Sequence, residues 1–119
     1  MEKNGRYLVA QRTENDRFGG LWEFPGGTLE TGESLEACTK REMKEELGIE
    51  VKVGEKVAIF EDEVPDLKIN VHLFRCHILN GSPLPLDCQA VRWVTLEELS
   101  LLPLAQVDQK ILKWLQRGE

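Results

Sequence analysis

The feature that most restricts how this chain can fold is a pair of glycines, Gly26 and Gly27, followed by a helix pattern. Glycines can adopt positive φ angles and let backbone carbonyl or amide groups come close to a ligand. The helix pattern covers Ser34–Leu47, and Gly48 is suited to end it as a C-terminal cap. We therefore expect a loop that can approach a ligand, directly ahead of a helix.

Three glutamates lie on one face of this predicted helix. At about 100° per residue, Glu42, Glu45 and Glu46 fall within an arc of roughly 100°, on the side where Leu35 and Cys38 would pack. Carboxylates at this spacing repel one another, and a divalent cation would relieve the repulsion. Their hard oxygen atoms suit Mg²⁺, or Mn²⁺. A solvated acidic surface is the alternative interpretation of these three residues taken alone.

The rest of the chain alternates between strand and helix patterns. Strands are predicted at Arg6–Gln11, around Trp22–Phe24, and at Val51–Glu63, Leu67–Leu79 and Ala90–Val94. Leu67–Leu79 is long enough to be a central strand. A short helix should follow Thr95, which forms a capping-box pattern with Glu98, and a longer one should cover Gln106–Gln116. No repeat or linker divides residues 1–119, so we expect a single α/β domain whose mixed sheet is covered by helices.

Composition limits the possible partners. The formal net charge of −6 argues against a surface that follows a nucleic-acid polymer. No apolar run approaches the ~20 residues of a membrane span, and the first residues show no signal pattern, so no membrane partner and a cytoplasmic location are expected. Cys38, Cys76 and Cys88 lack metal-site spacing and are expected to be reduced thiols in or near the core.

A longer pattern of fixed positions encloses the predicted helix. Five residues separate Gly27 from Glu33, and seven more precede Arg41, which begins the run Arg41-Glu42-Met43-Lys44-Glu45-Glu46-Leu47-Gly48-Ile49. This is the complete Nudix box, so the chain resembles the Nudix hydrolase family. The preceding Trp22-Glu23-Phe24-Pro25-Gly26-Gly27 is similar to the MutT-like branch of 8-oxo-dGTP diphosphatases and CTP pyrophosphohydrolases. The similarity runs essentially to the C-terminus. Further similar positions are Arg12, Glu63-Val64-Pro65-Asp66, Trp93 and Asp108.

The resemblance implies a fold and a metal site. Members of the family form an α/β/α sandwich with a mixed β-sheet, in which the box is a loop, a helix and a second loop. Mg²⁺ is the expected cofactor, with Mn²⁺ as a substitute. Glu33 and Arg41 are expected to support the catalytic box mainly as architecture. Arg41 would pair with Glu33 or with a carboxylate of the helix, which would fix the loop against the helix. The implied metal ligands are Glu42, Glu45, Glu46 and the carbonyl of Gly26.

The resemblance also implies a reaction. A metal-activated water attacks a phosphorus of a nucleoside triphosphate, the β one, and releases a nucleoside monophosphate and pyrophosphate. A carboxylate accepts the proton, and the family offers either Glu42 or an acid in the loop before the last strand. Many members have glutamate in that loop, where this chain has Asp87. Asp87 is expected to be a supplementary metal ligand or base, or else an exposed loop residue.

Three residues are predicted by similarity to bind the nucleotide. They are Arg12 at the end of a strand, Phe24 ahead of the glycines, and Asp108 at the start of the last helix. Each has an ordinary structural alternative. Arg12 could be a surface residue, Phe24 could belong to the core, and Asp108 could stabilise the helix N-terminus.

The N-terminal segment departs from the family pattern. Chains of this branch usually begin with an apolar strand, whereas Met1–Gly5 already has the pattern of the hairpin turn that follows it. Either the chain begins late relative to the usual domain, or the first strand of the sheet is missing. An uncovered sheet edge could pair with a second copy, so a monomer or a homodimer is expected.

Three functions are compatible with these residues. The preferred one is a nucleoside triphosphate pyrophosphohydrolase acting on 8-oxo-dGTP or a related nucleotide, or on CTP or dCTP. The second is a Nudix hydrolase of ADP-ribose or dinucleoside polyphosphates, and the third is a nucleotide-binding module without turnover. The intact Glu42, Glu45 and Glu46 favour an enzyme over a binding module.

Overall fold

The computed structural model describes residues 1–16, 19–26, 30–65 and 67–118. Gly27 and Asp66, two positions of the family pattern, lie outside these described residues. The strands are β1 (Glu2–Lys3), β2 (Arg6–Gln11), β3 (Trp22–Glu23), β4 (Glu50–Val64), β5 (Leu67–Asn80) and β6 (Ala90–Val94). The helices are α1 (Leu35–Leu47), α2 (Leu96–Leu99) and α3 (Gln106–Gln116). The strands and long helices predicted from the sequence are thus present.

Local signals in the sequence explain the turn of the first hairpin, the end of α1 and the start of α2. Asn4 and Gly5 have φ angles of 54° and 76°, as in the two-residue turns that favour hairpins, and the predicted hairpin turn is confirmed. Gly48 ends α1 in the left-handed conformation, with φ 68°. Thr95 and Glu98 form the predicted capping box of α2.

The sheet around β2 separates two layers of helices. The successive residues Leu8 and Val9 are both fully buried, and successive side chains of a strand point to opposite faces. Leu8 packs with Met43 and Leu47 of α1, whereas Val9 packs with Leu99 of α2 and with neighbours from the chain that leads into α3. The predicted α/β/α sandwich is confirmed by this arrangement.

The long strand β5 differs from its prediction. β4 and β5 form an antiparallel two-stranded ribbon, while β1, β3 and β6 all pair with β2 in a second sheet. Within the described part of the chain, β5 therefore has a strand partner along one edge alone, and its predicted central position was wrong. Length predicted the strand correctly but could not predict its neighbours, because pairing depends on contacts distant in sequence.

One edge of β5 has no strand partner among the described residues. An apolar strand from a related chain, fused ahead of Met1, is expected to raise the melting temperature or to shift a dimer towards monomer, because it could pair with this edge of β5. A fused segment of equal length rich in glycine and serine is the control. Unchanged melting and unchanged size-exclusion behaviour would reject the idea that an edge is uncovered.

The remaining observations concern membranes and cysteines. None of the helices formed by residues 1–16, 19–26, 30–65 and 67–118 is long and apolar enough to cross a membrane. Cys38 and Cys76 are buried, Cys88 is partly buried, and all three are free thiols. The prediction that the cysteines lie in or near the core is confirmed.

Candidate active site

Arg41 is the centre of an ion-pair network on α1. Its Nε and Nη2 donate to the two carboxylate oxygens of Glu33 at 2.7 and 3.0 Å. Its Nη1 donates to Glu42 at 2.7 Å and to Glu45 at 3.1 Å. The bonds from Arg41 hold the pKa of Glu33 at about 2. The pairing of Glu33 with Arg41 thus joins the loop ahead of α1 to the helix by two parallel hydrogen bonds.

Replacing Arg41 with alanine is expected to lower the melting temperature and to lower kcat several-fold, because Glu33 and Glu42 lose their shared hydrogen-bond donor. The matched control is Lys40→Ala, which removes a cation of the same helix whose ion pair with Glu36 is exposed. Thermal unfolding and steady-state kinetics measure the two effects. A melting temperature equal to that of the parent would contradict the supporting role of Arg41.

The three glutamates of the helix face occupy different environments. The side chain of Glu42 is 12% exposed, whereas that of Glu45 is 60% exposed. Glu46 is partly buried, and burial together with the charges of Glu42, Glu23 and Asp87 raises the pKa of Glu46 to about 8. Glu42 and Glu46 therefore lie inside a group of acidic side chains, while Glu45 lies at its outer margin.

Two backbone segments frame Glu46. The backbone N–H of Gly26 interacts with the Glu46 carboxylate and opposes the rise in its pKa, which places the first glycine of the pair near the helix face. The N–H groups of Leu86 and Asp87 donate to the Glu46 carbonyl at 3.0 and 3.3 Å. The structure thus brings Gly26, Glu46 and the loop carrying Asp87 together. The Asp87 side chain itself is exposed.

The donor set of this group suits a hard divalent cation. The side chains of this group can offer only carboxylate oxygens as metal ligands, and Mg²⁺ and Mn²⁺ bind such oxygens. The raised pKa of Glu46, caused first by burial and then by Glu42, shows that negative charge is crowded there, and a cation would relieve the crowding. Among the residues that the structure describes, no three His, Cys, Asp or Glu side chains already converge as a metal site. Binding would require the Arg41-bonded carboxylates to reorient.

A cavity of about 540 Å³ is lined by Glu23 and Gly26, two of the residues that interact with Glu46, but not by Glu42, Glu45, Glu46 or Asp87 themselves. Its walls come from the end of β2, the segment after β3, helix α1, strand β5 and the first turn of α3. The predicted nucleotide-binding residues Arg12, Phe24 and Asp108 all line it, and so does Gly26. Cavities of this size and mixed lining are typical of small-molecule sites.

Asp108 is held in the cavity wall by an unusual continuation of β3. Trp22 donates to the carbonyl of Pro103 at 2.8 Å and accepts from Ala105 at 3.0 Å, as in a parallel strand pair. Two residues later, the N–H of Phe24 donates to Oδ1 of Asp108 at 2.9 Å. Asp108 is 4% exposed, and this burial raises the pKa of its carboxyl group to about 7.

Arg12 is engaged by two carboxylates at the rim of the cavity. Its Nη1 donates to both oxygens of Glu23 at 3.0 and 2.9 Å, and its Nη2 donates to both oxygens of Asp16 at 2.9 Å. Because each terminal nitrogen contacts a different carboxylate, the orientation of the guanidinium group is restricted. Arg12 is therefore positioned by Glu23 and Asp16, and it is not the isolated surface arginine that was one alternative.

Sequence reasoning overlooked Glu23 as a site residue. Glu23 lines the cavity, and its carboxylate interacts electrostatically with both Glu46 and Asp108. Burial raises its pKa, while the guanidinium of Arg12 opposes the shift. The available signal was a charged residue between two large aromatic residues, Trp22 and Phe24, in a short strand. Such a residue must face either solvent or a polar site.

Comparisons with known proteins agree with this geometry. A family model described as the NUDIX domain matches residues 1–115. The chain is 39% identical over 113 residues to a CTP pyrophosphohydrolase of Escherichia coli, with 95% of this chain and 84% of that one covered. It is 37% identical over 73 residues to an 8-oxo-dGTP diphosphatase of Proteus vulgaris, with 61% and 65% covered. A crystal structure of a MutT protein from Methanosarcina mazei matches with a TM-score of 0.86 and 26% identity, over 98% of this chain and 86% of that one.

Proposed function

Because the chain belongs to the Nudix family, we propose that it is a metal-dependent pyrophosphohydrolase of nucleoside triphosphates. One observation carries the proposal. The same cavity is lined by Gly26, whose N–H interacts with the carboxylate of Glu46 in the acidic group, and by Asp108, whose carboxylate can meet a base. A nucleotide in this cavity would place its phosphates towards the acidic group and its base towards α3.

The carboxylates divide the work of the reaction. Water adds to the β-phosphorus, and the bond from that phosphorus to the oxygen that bridges it to the α-phosphorus breaks. The nucleoside monophosphate leaves with that oxygen, and the β- and γ-phosphates leave as pyrophosphate. Glu42 or Asp87 accepts the proton of the attacking water. Arg41 donates to Glu42 at 2.7 Å and is itself held by Glu33, so it would position Glu42 until a bound cation draws that carboxylate away. Glu33 and Arg41 are positioning residues in this scheme.

The metal would be held by carboxylates of α1. Glu42, Glu45 and Glu46, with Asp87 and the carbonyl of Gly26, are the proposed ligands, and Mg²⁺ or Mn²⁺ is the proposed ion. Such an ion supplies charge neutralisation of the phosphates and a more acidic bound water. The crowded negative charge around Glu46 supports this assignment, because it favours a bound cation.

The base pocket is compatible with two substrate classes. An ionised Asp108 accepts hydrogen bonds, which suits the adjacent donors N1–H and N2–H₂ of guanine and therefore 8-oxo-dGTP or dGTP. A protonated Asp108 offers one donor and one acceptor, which suits cytosine. The pKa of Asp108, raised to about 7 by burial, keeps both forms available, so CTP or dCTP is the second candidate substrate.

A nucleotide panel tests the proposal. Pyrophosphate release is measured with 8-oxo-dGTP, dGTP, CTP, dCTP and ADP-ribose, in MgCl₂, in MnCl₂ and in EDTA. We expect turnover of at least one triphosphate in the metal-containing samples and none in EDTA. Preferred hydrolysis of ADP-ribose would replace the substrate class, and binding of triphosphates without any turnover would identify a nucleotide-binding module.

The proposal extends to the state of the protein in the cell. Three free thiols, two of them buried, support a reducing compartment and therefore the cytoplasm. We infer that residues 1–119 act as one domain, as a monomer or a homodimer. Light scattering coupled to size-exclusion chromatography distinguishes the two assemblies.

A further inference from the structure

A set of polar contacts joins the β4–β5 ribbon to the first turn of α3. Gln106 Nε2 donates to Oδ1 of Asp62 at 2.7 Å and to the carbonyl of Glu63 at 3.2 Å. One turn later, Lys110 Nζ donates to the carbonyl of Glu61 at 2.7 Å and lies 3.6 Å from Asp62 Oδ1. We call Asp62, Gln106 and Lys110 the ribbon clamp.

Asp62 is the buried member of the ribbon clamp. Its side chain is 7% exposed, although its neighbours in sequence, Glu61 and Glu63, are exposed. Its Oδ1 also accepts the N–H of Glu63 at 2.8 Å. The Glu63 N–H, followed by Gln106 and Lys110, holds the pKa of Asp62 below its usual range. Asp62 is therefore an ionised acceptor in a fixed position.

The ribbon clamp lies where helix α3 lacks a cap of its own. Ala105 occupies the N-cap position and makes no side-chain hydrogen bond to the helix. A carboxylate near a helix N-terminus is favourable, and Asp62 supplies one from the neighbouring ribbon. A second contact supports the junction further along the helix, where the rings of Phe60 and Trp114 meet edge to face at 6.0 Å.

The two elements joined by the ribbon clamp both line the cavity. The ribbon contributes residues 68–74 of β5, and α3 contributes Gln106, Val107 and Asp108. Asp108 lies two residues after Gln106, so a displacement of the first turn of α3 would move the carboxylate that faces the base. The ribbon clamp thus connects the β4–β5 ribbon by hydrogen bonds to the helix turn that carries Asp108.

We propose that the ribbon clamp sets the width of the base-binding end of the cavity, with Asp62 and Gln106 as positioning residues for Asp108. The proposal rests on the proposed function in assigning that end of the cavity to the base. The clamp contacts neither Glu46 nor Arg41, so it governs how tightly the nucleotide is held and leaves the chemical step unchanged.

The decisive variant is Gln106→Glu. It replaces the donor of the 2.7 Å bond with a carboxylate facing Asp62, so like charges meet and the ribbon separates from α3. We expect KM for the preferred triphosphate to rise about tenfold with kcat within about twofold of the parent. The affinity for the corresponding nucleoside monophosphate, measured by calorimetry without turnover, should fall by about the same factor.

Two further variants separate clamp geometry from general effects. Gln109→Glu makes the same change on the same helix, where the side chain bonds the carbonyl of Leu104 and not the ribbon, and it should leave KM near the parent value. Adding Asp62→Asn to Gln106→Glu removes one of the two facing charges and lets Lys110 pair with the other. This double variant should recover at least about threefold of the lost affinity.

The outcomes distinguish the clamp from the proposed function. Absence of turnover in the parent, with monophosphate binding still weakened by Gln106→Glu, would overturn the proposed function and support the clamp. Unchanged KM and monophosphate affinity in Gln106→Glu would overturn the clamp, and so would equal effects of Gln109→Glu. A loss of kcat at constant KM in Gln106→Glu, or a parent protein that binds no nucleotide, would overturn it as well. Circular dichroism of each variant verifies that the fold is retained.

Discussion

Replacing Glu46 with glutamine is expected to lower kcat by about 10³-fold while the metal-free protein unfolds at the same temperature as the parent or a higher one. The substitution keeps the shape of the side chain and removes a charge proposed to face the metal. It also removes repulsion, because the Glu46 carboxylate is partly buried and lies in the field of Glu42, Glu23 and Asp87. Loss of activity and gain of stability should therefore occur together.

Control variants make this result specific. Glu36→Gln changes an exposed carboxylate of α1 that pairs with Lys40, so both kcat and melting temperature should stay close to the parent values. Glu45→Gln is expected to lower kcat strongly as well, despite the 60% exposure of Glu45, because it is proposed as a metal ligand. Near-normal turnover in both Glu45→Gln and Glu46→Gln would refute the metal assignment.

Asp108→Asn is expected to change the choice of base. The asparagine can keep its oxygen on the N–H of Phe24, and it then presents an amide donor where the carboxylate presented an acceptor. Ratios of kcat/KM should move towards CTP and dCTP and away from 8-oxo-dGTP and dGTP by roughly tenfold, for a contact worth about 1–3 kcal/mol. If the four ratios stay within about twofold of the parent, a fraction of that contact energy, Asp108 serves the helix N-terminus and does not recognise the base.

The same residue predicts a dependence on pH. Burial, with a contribution from Glu23, raises the pKa of Asp108 from 3.8 to about 7, while Phe24 N–H and Arg12 oppose the shift. Between these values the folded parent retains a proton that the unfolded chain has released, so the free energy of unfolding falls as pH rises through this window. The melting temperature of Asp108→Asn relative to the parent should therefore be higher at pH 8 than at pH 5.

Substrate ratios should report the same titration. In the parent, lowering the pH below about 7 protonates Asp108, so the ratio of kcat/KM for CTP to that for 8-oxo-dGTP should rise. In Asp108→Asn the ratio should be flat, because the amide does not titrate in this range. Taking a ratio of two substrates cancels changes in the shared chemical step. A parallel pH dependence in both proteins would exclude Asp108 as its source.

Local patterns predicted the elements and the acidic helix face because those features depend on neighbours in sequence. Gly48 and Thr95 define helix ends through their own backbone and side-chain bonds, and the ends of β2, β6 and α3 followed from apolar spacing. The resemblance implied that Arg41 pairs with Glu33 or with a helix carboxylate, and the structure shows bonds to Glu33 and also to Glu42 and Glu45. In each case the deciding interaction spans at most a few turns of chain.

Interactions between distant segments were not predictable in the same way. The single-edge pairing of β5, the engagement of Arg12 by Glu23 and the burial of Asp62 against Gln106 all depend on how separate elements meet. Glu61, Asp62 and Glu63 read alike as an acidic surface run, yet the structure buries the middle side chain alone of the three. Strand alternation places Asp62 on the opposite face from Glu61 and Glu63, but the sequence alone does not show that this face packs against α3.

The bond from Phe24 N–H to Asp108 Oδ1 also divides labour between the two oxygens of one carboxylate. Oδ1 completes the backbone ladder that extends β3, so any replacement must keep an acceptor there or leave a buried N–H without a partner. Asparagine retains such an acceptor and alanine does not. Asp108→Asn can therefore preserve the ladder while it tests base recognition, whereas Asp108→Ala would remove both roles at once.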